Sequence, residues 1–277
     1  MTVRAVLFDL DGTLVDSVPA LTAGLNDVLA TYGSTPMTEK AVADLVGKGV
    51  RKLIEDVFAV KQLPTDDKTI DEACALYVAR NVARGNHDAK FFPGALDAVA
   101  ALRRSGVKTV LVTNKSRAMV ETFVRDAGLG NYFDAVVAGG DTPHPKPAGD
   151  MLLLGAEKVG VSIADCVMLG DSRNDAEAGR NAGVAVRLVK TGYNEGVPIE
   201  IWGPENGFDV GFENPEVIPV RRETLSKLVA GCRFRRRKAR RFNRRNEIQV
   251  RCVRPAEHEF FRHRHTLTRT SAPVRAS

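Results

Sequence analysis

Residues 5–17 read AVLFDLDGTLVDS, an apolar run of strand length that ends in two carboxylates one residue apart, Asp9 and Asp11. With Val3 at its head, the run predicts a strand from Val3 to Phe8 buried on both faces. An ionised carboxylate at the end of such a strand requires a metal or a charged partner, because its desolvation is otherwise too costly. Gly12 and Thr13 allow a tight turn directly afterwards, so both acids face one crevice. A metal there would neutralise them, while one attacks as a nucleophile and the other exchanges a proton.

Strands are also expected at Val107 to Val112, Ala135 to Ala138, Cys166 to Leu169 and Val184 to Val189. Helical patterns lie between them. Val18, Leu21, Leu25, Val28, Leu29 and Tyr32 recur every three or four residues within Asp16 to Tyr32, and Leu96, Val99 and Leu102 do so before Gly106. Continuous apolar strands alternating with helices predict an α/β fold, a Rossmann-like doubly wound parallel sheet. One interval departs from the alternation. From 16 to 90 only helical patterns occur, which predicts a helical cap inserted after the first strand and placed over the crevice. The expected division is a catalytic core of 1–15 and 91–220, a cap of 16–90, and an extension of 221–277.

The 277 residues are 44% apolar, enough for a packed core. No apolar stretch is long enough to span a membrane and MTVRAVLFDLDG is not ordered like a signal peptide, so a cytoplasmic location is expected. Four cysteines without CxxC spacing fit reduced thiols. Charge is divided unevenly. Residues 221–277 hold 18 Lys+Arg against 4 Asp+Glu, and residues 1–220 hold 22 against 30. The extension contains RFRRRKARRFNRR at 233–245, expected to be disordered and to bind polyanions non-specifically. Cys232, Cys252, His258 and His263 match no compact zinc spacing, and His87 receives no role.

Three more strand ends carry polar groups: Thr113-Asn114 after Val110-Leu111-Val112, Lys146-Pro147 in a loop after Ala138, and Asp171-Ser172-Arg173-Asn174-Asp175 after Met168-Leu169-Gly170. In that order they supply a hydroxyl donor, a cation and an acid pair to accompany the nucleophile, the set that phosphoryl transfer requires.

The ordered motifs DLDGT, VTN, KP and GDSRND resemble those of the haloacid dehalogenase superfamily of aspartate-dependent phosphatases, over residues 1 to about 215. The finer stretches VTNK, GGDTPHPKP, GDSRNDAEAGRNAG and TGYNEG are similar to its bacterial phosphoglycolate phosphatase branch. The resemblance implies a magnesium (Mg2+) enzyme that hydrolyses 2-phosphoglycolate, a small phosphorylated carboxylate. It also implies Asp9 as nucleophile, Asp11 as acid and base, Thr113 as hydrogen-bond donor to the phosphoryl group and Lys146 as its counter-charge. Magnesium would lie on the Asp9 carboxylate, the Asp11 carbonyl and Asp171, with Asp175 behind them and Asn114 at the substrate. A sugar phosphomutase would share these residues. In the expected cap, VGKGVRK sets Lys48, Arg51 and Lys52 around two glycines as candidates for the substrate carboxylate.

Overall fold

The computed structural model describes residues 3–86 and 90–212. His87 and the whole of 221–277, with its arginine run and its Cys/His quartet, lie outside the described residues.

The first strand, β1 (Ala5–Phe8), is the centre of the molecule. The short strand β2 (Val15–Asp16) leads into four helices, α1 (Val18–Thr31), α2 (Glu39–Ala43), α3 (Val50–Val60) and α4 (Asp67–Arg84). The chain returns through β3 (Lys90–Phe91) and then alternates: α5 (Ala95–Arg104), β4 (Lys108–Ser116), α6 (Arg117–Asp126), β5 (Ala135–Gly139), α7 (Asp150–Lys158), β6 (Cys166–Gly170), α8 (Arg173–Ala182), β7 (Ala185–Val189), α9 (Ile199–Glu205) and β8 (Val210–Phe212).

Six strands form one sheet in the order β5-β4-β1-β6-β7-β8, and every pairing is parallel. Because side chains alternate across a strand, β1 serves two cores at once. Val6 and Phe8 pack with Val99 and Leu102 of α5 and Val120 and Phe123 of α6. Ala5 and Leu7 pack with Met151 and Leu152 of α7 and Ala176 and Ala178 of α8. The chain leaves β1 toward β4 on one side and later returns to its other side as β6, so the switch of strand order falls at β1. In such sheets the crevice beyond the carboxyl ends at that point is the ligand site.

The four helices between β2 and β3 pack around a third apolar cluster that includes Leu25, Leu29, Ile54, Phe58 and Tyr77, joined by Met119 from α6. Their ends follow local chemistry: the Thr38 side chain accepts the Ala41 amide, and Asp66 accepts that of Thr69. Where the chain enters and leaves this layer, β2 and β3 pair antiparallel, Val15 opposite Phe91 and Asp16 opposite Lys90. The sequence shows no strand there, because two residues are too few to reveal a period. The same holds for the three-residue β8. The strand expected to stop at Val112 runs on to Ser116, since polar Thr113 to Ser116 still follow β5 after a shift of register. No helix among the described residues is long and apolar enough to cross a membrane.

Leu7 is fully buried at the middle of the central strand. Leu7→Ala is expected to lower the unfolding free energy by about 2–5 kcal/mol through lost burial and a residual cavity; a urea titration of both proteins reads the difference directly.

Candidate active site

Asp9 continues β1, its amide donating to the Leu169 carbonyl of the neighbouring strand at 2.9 Å. This places its carboxylate at the mouth of the crevice. The Lys146 ammonium, itself buried, donates to Asp9 Oδ1 at 2.8 Å, to Asp175 Oδ1 at 2.6 Å and to the Val112 carbonyl at 3.0 Å. All three of its protons are therefore used. Burial alone would depress the lysine's pKa, but Asp175 and Asp9 outweigh it and hold it raised.

The backbone of Lys146 is set by Asn114. The Asn114 side chain accepts the Lys146 amide at 2.9 Å and donates to the Lys146 carbonyl at 2.8 Å and the Gly47 carbonyl at 2.9 Å. Asn114 lines the crevice, with its side-chain polar atoms engaged by backbone in this structure. Thr113 is buried and lines the crevice, its hydroxyl oxygen accepting the Lys115 amide. Its own proton stays available for a ligand.

Asp171 follows β6, and the chain crowds around it. Thr13 donates to Asp171 Oδ1 at 2.6 Å, and the Tyr193 amide donates to Oδ2 at 2.8 Å. A Cβ at Gly192 would lie 1.9 Å from Asp171 Oδ2, and one at Gly12, whose φ is +89°, would lie 2.4 Å from the same atom. Only glycine permits either approach. Asp175 lies beneath, fully buried, its Oδ2 taking the Ser172 amide and hydroxyl as well as the Asp171 amide. Burial, with Lys146 acting in the opposite sense and Asp175 adding to the rise, pushes the Asp9 carboxyl up to about 7. Asp171 is raised well above the usual carboxylate range, by burial first and then by Asp175 and Asp9.

Oxygens of Asp9, Asp171 and Asp175 lie within 4.8 Å of one another. Asp9 and Asp171 line the crevice whereas Asp175 lies beneath it, bonded to Lys146 and the 171–172 segment, which leaves Asp9 and Asp171 better placed to ligate. The charge count supports a divalent ion. Four carboxylates at 9, 11, 171 and 175 face two buried ammonium groups, Lys146 and Lys115, so two negative charges are uncompensated. Hard oxygen donors with that deficit fit Mg2+.

The residue that sequence reading missed is Lys115. Its ammonium meets Asp11 Oδ1 at 2.7 Å with both side chains largely buried. Tyr193 is a second such residue: it contributes the amide to Asp171 and its hydroxyl donates to Asp16. The TGYNEG stretch was the visible signal for it. By contrast, Lys48 is paired with Glu195 at 2.8 Å and Arg51 with Asp71 at 2.6 Å, while Lys52 is tied to Asp56. None of the three lines the crevice. In this structure the three are not brought to the crevice: acids on their own helix and its neighbours engage Arg51 and Lys52, and Glu195 engages Lys48.

The crevice is partly open and holds a cavity of about 50 Å³. Asp9, Asp11, Thr113 and Asp171 form its floor, and Leu21, Val50 and Leu53 of the helical layer form its roof.

A parallel sheet with an acid cluster at its switch point, a buried lysine linking two of the acids and a helical layer above defines a class of hydrolytic α/β enzymes. Residues 3–183 match the family model of the haloacid dehalogenase-like hydrolases. A phosphoglycolate phosphatase of Pseudomonas aeruginosa is 36% identical over 198 residues, covering 71% of this chain and 72% of that one. A plasmid-encoded phosphoglycolate phosphatase of Cupriavidus necator is 37% identical over 218 residues, covering 78% and 91%. The crystal structure of CbbY from Rhodobacter sphaeroides in complex with phosphate shares the fold, with a TM-score of 0.67 at 22% identity over 79% of this chain and 97% of that one. The chain belongs to the haloacid dehalogenase-like hydrolases and is a phosphatase of that family.

Between pH 4 and 7 the folded Asp9 keeps a proton that the unfolded chain has already released. Stability should therefore fall as pH rises through that window when a chelator is present. Thermal melts in chelator from pH 5 to 7.5 should show a declining midpoint, and Asp9→Asn should flatten the decline.

Proposed function

We propose that the protein is a magnesium-dependent phosphomonoesterase that converts 2-phosphoglycolate to glycolate and phosphate through an aspartyl-phosphate. The observation that carries the chemistry is the state of Asp9. Lys146 holds one of its oxygens, while the other accepts no hydrogen bond among the described residues, and the side chain lines the crevice. A carboxylate so held presents one oxygen for in-line attack at phosphorus.

Asp11 gives its proton to the glycolate oxygen as the P–O bond breaks, then takes one from the water that attacks the phosphorus of the aspartyl-phosphate. Asp9 departs as a carboxylate, and the proton count is restored. Thr113 donates its free hydroxyl proton to a phosphoryl oxygen. Lys146 offsets charge on the transferring group, and Asp175 keeps that lysine protonated and in place. Bound at Asp9 and Asp171, with the Asp11 carbonyl nearby, magnesium would supply charge neutralisation of the phosphoryl oxygens.

The substrate assignment is supported by the names of relatives that are more than a third identical. Residues 16–90 are proposed to act as a cap hinged on the β2–β3 pair, closing over small substrates and excluding water. Free Cys74 and Cys166 suit the cytoplasm.

Asp9→Asn preserves shape and removes the nucleophile. Its kcat for phosphate release should fall at least about a thousandfold, equivalent to about 4 kcal/mol of barrier. Near-normal turnover in a folded Asp9→Asn enzyme would rule out the covalent route. A chelator should abolish activity of the unaltered protein and added Mg2+ should restore it, as followed by a phosphate-release assay.

A further inference from the structure

We infer that Lys115 is the specificity-determining residue, its ammonium receiving the carboxylate of the substrate while remaining bonded to Asp11. The inference deepens the phosphoglycolate reading and rests on it.

The cations that sequence pattern nominated are committed elsewhere: Lys48 to Glu195, Arg51 to Asp71 and Lys52 to Asp56. Among the described residues that line the crevice, Lys115 is the one cation. It projects from β4, two residues beyond Thr113, and its side chain is only 5% exposed. A buried ammonium has three protons to place. Within the described residues Lys115 places one, on Asp11 Oδ1 at 2.7 Å. Leu21 and Met119 line both cavities that Lys115 borders, and no acceptor there other than Asp11 is hydrogen-bonded to its ammonium among the described residues.

Covalent distance then decides what the other protons meet. Asp11 must touch the ester oxygen of the substrate to protonate it. In 2-phosphoglycolate that oxygen is separated from the carboxylate carbon by a single methylene. A cation one hydrogen bond from Asp11 is therefore beside the carboxylate whenever the ester oxygen is beside Asp11. The same ammonium, only 5% exposed, can bridge the Asp11 carboxyl group and the substrate carboxylate, and one such buried pairing discriminates strongly. A substrate with a hydroxymethyl group in place of the carboxylate would leave those protons facing no anion.

The test compares kcat/KM for 2-phosphoglycolate and for the monophosphate ester of ethylene glycol, which has the same length and no carboxylate. The unaltered enzyme should prefer phosphoglycolate. Lys115→Met should lower the ratio of the two kcat/KM values by about thirtyfold or more, and Lys115→Arg, which keeps the charge, should retain part of the preference. Lys115→Gln, which keeps a hydrogen bond to Asp11, replaces the Met variant if that protein does not fold, and should also lose most of the ratio. A parallel loss on both esters, with the ratio intact, would mean that Lys115 merely positions Asp11 and would overturn the inference while leaving the substrate assignment standing. Absence of any preference in the unaltered enzyme would overturn the substrate assignment and this inference together.

Discussion

One buried ammonium connects the parts of this structure that matter most. Lys146 joins the end of the first strand, through Asp9, to the first turn of α8, through Asp175, and ties both to the middle of β4 at the Val112 carbonyl. Remove it, and two carboxylates would be left buried without a cation, an arrangement that costs several kcal/mol. The charged centre is thus also a structural joint, and the glycines at 12 and 192 are what allow the neighbouring loops to approach it. Asn114 performs the matching task on the backbone, holding both the amide and the carbonyl of Lys146.

The balance of charge explains why the site is poised rather than merely stable. Two ammonium groups do not neutralise four carboxylates, and burial raises Asp9 and Asp171 in consequence. A divalent ion removes that penalty, and a phosphoryl dianion brings part of it back. Ligand binding and charge relief are therefore coupled, which is the condition for stabilising an arrangement of charge that exists only during transfer.

Much of this was legible in the chain. Asp9, Asp11, Lys146, Asp171 and Asp175 stand directly after apolar runs or in the loops that follow them, and parallel sheets gather such positions at one edge. Strand length was less legible, because Thr113 to Ser116 are polar and β2, β3 and β8 are too short to show a period. Lys115 escaped notice because its partner lies 104 residues away, and no local pattern reports so distant a pairing. The placement of Arg51 and Lys52 away from the crevice was hidden for the opposite reason. Glycines beside cations look like an anion loop, yet Glu55 and Asp56 stand four residues further on, the spacing at which helix surfaces neutralise their own charges.

The parallel pairing of β1 with β4 and β6 also governs when the centre can exist during biosynthesis. A ribosome releases Asp9 early, but its lysine follows 137 residues later, and the acid that Thr13 grips follows that threonine by 158. Until β6 has emerged, the first strand has a neighbour on one side at most. Local helices, including those between β2 and β3, can collapse while they wait, whereas the central strand gains its second neighbour only after most of the described chain has been made. The second neighbour of the central strand and the acid at that neighbour's end consequently arrive together, and a nascent chain interrupted before β6 has neither.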